Sequence, residues 1–118
     1  MRKALVAGGA SGIGLAIATQ LAARDDYSIV HIVDRAPVLE GMLHEKFECH
    51  RFDLTSQDYG FFDRFMDIDT LMITAGFGHL ALFKDLTEDY IANMMNVNAV
   101  AVMRLIRRFY DRIASSDD

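Results

Sequence analysis

The residues best suited to chemistry lie near the start of the chain, in the run Gly8-Gly9-Ala10-Ser11-Gly12-Ile13-Gly14. This G-x-x-x-G-x-G spacing suits a diphosphate held against bare backbone. Gly8 lets the chain bend sharply. Gly12 puts no side chain between an anion and the amides, and Gly14 lets a helix that starts here lie close to its neighbour. The unpaired N–H groups and the positive end of the helix dipole then face the anion, the dipole contributing about 0.3–2 kcal/mol. Ser11 can donate one more hydrogen bond, and Ile13 belongs to the same phosphate-facing turn. Asp34 stands twenty residues beyond Gly14, where dinucleotide-binding folds place an acid at the end of their second strand. Its carboxylate would accept hydrogen bonds from an adenosine ribose and repel a 2′-phosphate, which favours NAD over NADP. Arg35 pulls the other way, because a guanidinium beside the ribose can meet that phosphate.

These residues need elements to position them, and the apolar pattern supplies four strands alternating with helices. Ala4 to Ala7 is an unbroken apolar run, the mark of a strand covered on both faces. Ile13, Ile17 and Leu21 recur at helical spacing after the glycines, with Gly14 and Ala18 as small partners. Ser28 to Val33 reads as a second strand. Pro37 is placed to open a short helix reaching about Lys46, and Phe47 to Phe52 reads as a third strand. Ser56 is positioned to cap a helix carrying Phe61, Phe62, Phe65 and Met66. Leu71 to Ile73 is the fourth strand. After a loop with Gly76 and Gly78, Thr87 caps a long helix ending near Ala114. The polar tail Ser115-Ser116-Asp117-Asp118 is expected to fray. This rhythm predicts an α/β fold over residues 1–118: a three-layer Rossmann unit with parallel strands in the order 3-2-1-4.

Composition narrows the function. The chain has 118 residues, 52% of them hydrophobic, which is enough for one domain with a real core. The formal net charge of −5 argues against nucleic acid as a general partner. The basic group Arg104, Arg107, Arg108 and Arg112 reads as a solvated helix face near the negative end of the dipole. No apolar run reaches membrane-spanning length, and the opening Met1-Arg2-Lys3 leads into a strand, not a targeting signal. Cys49 is the one cysteine. It excludes an internal disulfide, fits a cytoplasmic location, and reads as a small apolar residue at a strand end. His31, His44, His50 and His79 are scattered without paired ligand spacing, so no metal site is expected.

Taken together, these motifs resemble the short-chain dehydrogenase/reductase family over nearly the whole chain. Ala7 to Gly14 is similar to that family's T-G-x-x-x-G-I-G motif, with Ala7 in place of threonine. Asp53-Leu54 after the third strand matches the acid and aliphatic pair that the family sets against the adenine ring. Thr74-Ala75-Gly76 stands where the family has N-A-G, and the missing asparagine is expected to weaken the tie across the central sheet. Leu82 to Glu88 is similar to the stretch leading into the family's long helix. Val97-Asn98 matches its V-N, which by resemblance makes Asn98 the catalytic-tetrad asparagine that bends the helix and holds a water of the proton relay. The resemblance implies an alcohol or carbonyl oxidoreductase using NAD, with NADP less favoured.

It also implies a tyrosine with a lysine four residues later, and a serine upstream. The lysine charge lowers the tyrosine pKa so that its oxygen can exchange a proton while hydride moves. The residues four beyond Tyr27, Tyr59, Tyr90 and Tyr110 are His31, Asp63, Met94 and Ala114, so the pair is absent from these 118 residues. The expectation is the nucleotide-binding half of such an enzyme, truncated after the long fourth helix and inactive alone. The alternative is a non-catalytic nucleotide-binding or protein-interaction module. The fourth strand would then offer an open edge. Ile91, Met94, Met95, Val97, Val100, Val102, Met103, Leu105, Ile106 and Phe109 give the long helix more apolar surface than one sheet face can cover. A homo-oligomer through either surface is expected.

Overall fold

The computed structural model describes residues 1–76 and 82–115. Gly78, His79 and the last three residues of the polar tail therefore lie outside the described residues. Four parallel strands, β1 (Arg2–Ala7), β2 (Tyr27–Asp34), β3 (Phe47–Arg51) and β4 (Thr70–Ile73), form one sheet in the order β3-β2-β1-β4. This is the order expected from the sequence. β1 is central: Leu5 pairs with His31 on one side and Leu71 on the other, and Val6 with Ile32 and Met72. Ala4 through Ala7 are fully buried, as a strand covered on both faces requires.

Alternation along the strands sends side chains into two cores. One side of the sheet carries Ala4, Val6, Val30 and Ile32 against Ala18, Leu21 and Ala22 of α1 (Gly12–Ala22). The other carries Leu5, Ala7 and Val33 against Phe62, Phe65, Leu105 and Phe109. The long helix is continuous but composite: α2 (Glu88–Met95), a π-helical turn (Asn96–Val100) and α3 (Ala101–Ala114). Thr87 caps it as expected, its hydroxyl oxygen accepting from the Tyr90 N–H at 3.0 Å.

Four local expectations fail, each for a physical reason. Pro37 opens no α-helix; only a 3₁₀ turn forms, at Glu40–Met42. With Leu39, Met42 and Leu43 all more than half exposed, that segment has no apolar stripe to dock. Residues Tyr59–Phe65 form a 3₁₀ helix instead of an α-helix, and Ser56 accepts from the Asp58 N–H rather than capping a longer element. Three-residue periodicity places Tyr59, Phe62 and Phe65 on one buried side. Ile13 is 76% exposed, because α1 turns Gly14, Ala18, Leu21 and Ala22 to the sheet. Cys49 lies mid-strand and exposed on the edge strand β3, not apolar at a strand end.

The arginines of α3 are more than a solvated face. Arg104 lies over the Tyr59 ring at 3.6 Å, Arg108 pairs with Asp63 at 2.7 Å, and Arg112 reaches both the Ile68 carbonyl and Asp69 at 2.9 Å. Only Arg107 keeps to the outside, 4.0 Å from Asp111 one turn on. The helix is thereby strapped across the segment from Tyr59 to Asp69.

Candidate functional site

The carboxyl ends of the four strands converge on the glycine turn. Gly8 has φ +89° and Gly12 φ +56°, backbone states that suit glycine. A Cβ at Gly8 would come within 2.6 Å of the Ala75 amide nitrogen, so the turn can pass β4's exit only without a side chain. A Cβ at Gly14 would overlap the Gly8 carbonyl oxygen and the Thr74 hydroxyl, the close helix approach anticipated for that position. At Gly12 a Cβ would meet nothing within 4 Å, because this residue opens on a cleft.

That cleft has a volume of about 570 Å³. Every residue assigned to cofactor contact from the sequence borders it: Gly8, Ser11, Gly12, Ile13 and Gly14 from the first turn, Asp34 and Arg35 from the second, Asp53 and Leu54 from the third, and Thr74, Ala75 and Gly76 from the fourth. They are brought together because each follows a parallel strand and all such ends lie on one side of the sheet. Sequence reasoning missed Val33, Phe52, Thr55, Tyr90, Asn93 and Val97, which also border it. Tyr90, Asn93 and Val97 recur at helical spacing on one face, a signal present in the sequence of which only Val97 was used, as one of the apolar residues of the long helix.

Several contacts preset the walls. Asp34 accepts from the Ala10 N–H and the Ala36 N–H, both at 3.0 Å, so this acid also pins the glycine turn to β2. The Asp53 carboxylate accepts from the Thr55 N–H at 2.9 Å and its hydroxyl at 2.8 Å. Those bonds hold the Asp53 carboxyl below the usual carboxylate range. Thr74 does not leave the expected weakness: its N–H donates to the Ala7 carbonyl at 2.9 Å, and its hydroxyl lies 3.3 Å from the same oxygen and 3.2 Å from that of Gly8. The shorter side chain still ties β4 to β1. Ser11 stands at the N-cap of α1 in extended backbone with no side-chain cap bond.

Asn98 does not border the cleft. It sits in the π-helical turn, and its Oδ1 is 2.8 Å from where a Gly76 Cβ would be, just beyond the cleft's β4 wall. A π turn is a common device for re-aiming a helical side chain at a functional place.

Comparison with known proteins decides the family. The family model described as short chain dehydrogenase matches residues 2–117. The chain belongs to the short-chain dehydrogenase family. Among solved structures, a 3-oxoacyl-[acyl-carrier protein] reductase from Brucella melitensis is 28% identical with TM-score 0.74, matching 99% of this chain and 52% of its own. A 3-oxoacyl-[acyl-carrier protein] reductase from Brucella melitensis, 28% identical with TM-score 0.74 over 99% of this chain and 51% of its own, has been solved in complex with NAD. The bulky-bulky ketone specific alcohol dehydrogenase from Comamonas testosteroni is 24% identical with TM-score 0.82, covering 97% of this chain and 50% of its own. A short chain dehydrogenase family protein from Francisella tularensis subsp. tularensis SCHU S4 is 22% identical with TM-score 0.82, covering 95% and 46%. The latter two likenesses bear on the fold alone. The chain thus spans about half the length of the structures it matches. Among curated proteins none matches it. No helix among the described residues is long and apolar enough to cross a membrane.

The histidines depart from expectation. Two of the four thought scattered, His31 on β2 and His50 on β3, come together with Glu48 away from the cleft.

Proposed function

We propose that this chain is the NAD(H)-binding half of a short-chain dehydrogenase-type alcohol or carbonyl oxidoreductase. The observation that carries this reading is the single cleft on which all the sequence-assigned contact residues converge. In it the amides of Ser11 to Gly14 would hold the pyrophosphate at the N-terminus of α1. Asp34 would accept from the adenosine ribose hydroxyls, and Asp53-Leu54 would meet the adenine. When bound, the cofactor supplies the hydride acceptor or donor; the residues described here bind and orient it. Asn98, behind Gly76, is the one residue we assign to the proton relay. The Tyr-x-x-x-Lys pair is absent from these residues, so the 118-residue chain should bind cofactor without turning over simple alcohols.

The test is calorimetric titration with NADH and NADPH. We expect saturable binding that favours NADH. Asp34→Ala should weaken NADH by roughly tenfold, on the scale of one to two kcal/mol for a charge-assisted hydrogen bond. Part of that loss would come from freeing the Ala10 amide in the turn. The preference over NADPH is the cleaner readout, and it should narrow; an unchanged NADH-to-NADPH ratio would reject the assignment of Asp34.

A homo-oligomer is part of the same proposal. Val100, Met103, Ile106 and Tyr110 form an exposed stripe on the long helix, between 45% and 68% accessible. β4 pairs with β1 alone among the described residues. Either surface offers apolar area or open backbone to a second copy. Light scattering should give a mass above that of one chain, and a stable monomer would count against it.

A further inference from the structure

We infer that His31, Glu48 and His50 form a site for one divalent ion of the zinc class, separate from the cofactor cleft. The three are set by strand register. His31 pairs directly with Glu48 across β2 and β3, and His50, two residues on, stands diagonally on the same face. Their ligating atoms all lie within 4.8 Å of one another. His31 Nδ1 is 3.3 Å from His50 Nε2 and 3.9 Å from a Glu48 carboxylate oxygen. Two nitrogens bound to zinc at about 2.0–2.1 Å with tetrahedral angles lie about 3.3–3.4 Å apart. The histidine pair already has that separation, and the half-exposed Glu48 side chain needs only a rotation to close on it.

The surroundings favour ligation. Phe65 packs on both imidazoles, with ring centroids 4.8 Å from His31 and 4.9 Å from His50. The rings are thus held by the core instead of swinging in solvent. Burial lowers the pKa of both histidines. The other charges that act on the pair are Lys3, Asp67 and Arg64. Lys3 and Asp67 are paired at 2.7 Å and largely offset one another, while Arg64 is drawn over the Phe61 ring. Two imidazoles and one carboxylate leave a fourth position open to water from the Glu48 side. Nitrogen-rich sets of this kind suit zinc and its neighbours over magnesium or calcium. None of the three residues borders the cleft. The competing arrangement is a plain N–H···N hydrogen bond between the rings with no ion.

Titration of Zn2+ into the untagged, EDTA-treated chain distinguishes the two. We expect one saturable site with affinity on the order of micromolar or tighter, and a melting temperature that rises with Zn2+. Glu48→Gln and His50→Gln should each weaken binding by about tenfold or more, and Cys49→Ser should leave it unchanged. Absence of saturable binding, or binding unaltered in both ligand variants, overturns the proposal. Co2+ bound to the unsubstituted chain provides a readout that needs no variant to fold. The d–d absorption of a four-coordinate nitrogen–oxygen site is expected. A thiolate charge-transfer band would move the ion to Cys49 and refute the assignment.

Discussion

Gly14→Ala should cost about 3 kcal/mol or more of unfolding free energy and abolish dinucleotide binding. The added Cβ would overlap the Gly8 carbonyl oxygen and the Thr74 hydroxyl and lie 2.9 Å from the Gly8 carbonyl carbon. The carbonyl belongs to backbone that cannot rotate away. Gly8 is itself held between Val33, whose carbonyl accepts from its N–H at 2.8 Å, and the nearby Ala75 backbone. Relief therefore requires α1 to lift from the sheet, which also breaks the phosphate-facing turn. Gly12→Ala provides the contrast. Its methyl meets no atom within 4 Å, so only the φ of +56° is penalised, by about 1–2 kcal/mol. That methyl would instead stand in the cleft and weaken ligand binding. Urea unfolding of the two variants should give clearly separated midpoints with similar slopes; coincident midpoints would show that the helix has room we deny it.

Phe62→Ala should be the most damaging change in the core, at about 3–5 kcal/mol. Phe62 is fully buried, with ring centroids of Phe52, Tyr59 and Phe61 at 5.1, 5.3 and 5.2 Å and that of Phe109 at 6.3 Å. These neighbours come from β3's exit, the 3₁₀ segment and α3, so no single element can shift to fill the void. Roughly 5–15 kcal/mol holds most domains folded, and a loss of this size leaves little. Because Phe52 also borders the cleft, the variant should lose ligand affinity along with stability. Phe83→Ala, at a site 80% exposed, is the control and should change stability by no more than about 0.5 kcal/mol. A loss below about 1.5 kcal/mol for Phe62→Ala would mean that the aromatic cluster repacks freely.

The strand order and the cleft were legible because they depend on local signals repeated in register. Unbroken apolar runs such as Ala4 to Ala7, a glycine-rich turn and acids at strand ends are all read from neighbours in sequence. What escaped depends on contacts between segments far apart. The 59–65 segment is 3₁₀ because Tyr59, Phe62 and Phe65 are turned to one buried side by contacts with distant elements, Arg104 and Phe109 of α3 and His31 and His50 of the sheet. The arginines of α3 looked like a solvent face until the facing acids and carbonyls at Asp63, Ile68 and Asp69 were in place. Cys49 was misread because strand position was inferred without knowing that β3 is an edge. His31 and His50 are nineteen residues apart, too far for a ligand-spacing rule, and only the β2–β3 register makes them neighbours. In the cleft, Asp34 was legible as a ribose partner but not as the clamp on the Ala10 amide.

The π turn at Asn96–Val100 holds one residue more than a regular α turn would. Upstream, Tyr90 and Asn93 look into the cleft; downstream, Ala101, Leu105 and Phe109 look into the sheet. The wide turn carries the one surplus residue that sets the phase between those two faces. Rewinding Asn96–Val100 as a regular α turn with that residue retained would rotate one half against the other by about 100°. Leu105 and Phe109 would swing out of the core, or Tyr90 and Asn93 off the cleft. Binding surface and hydrophobic interior are thus geared to each other through a single turn of backbone.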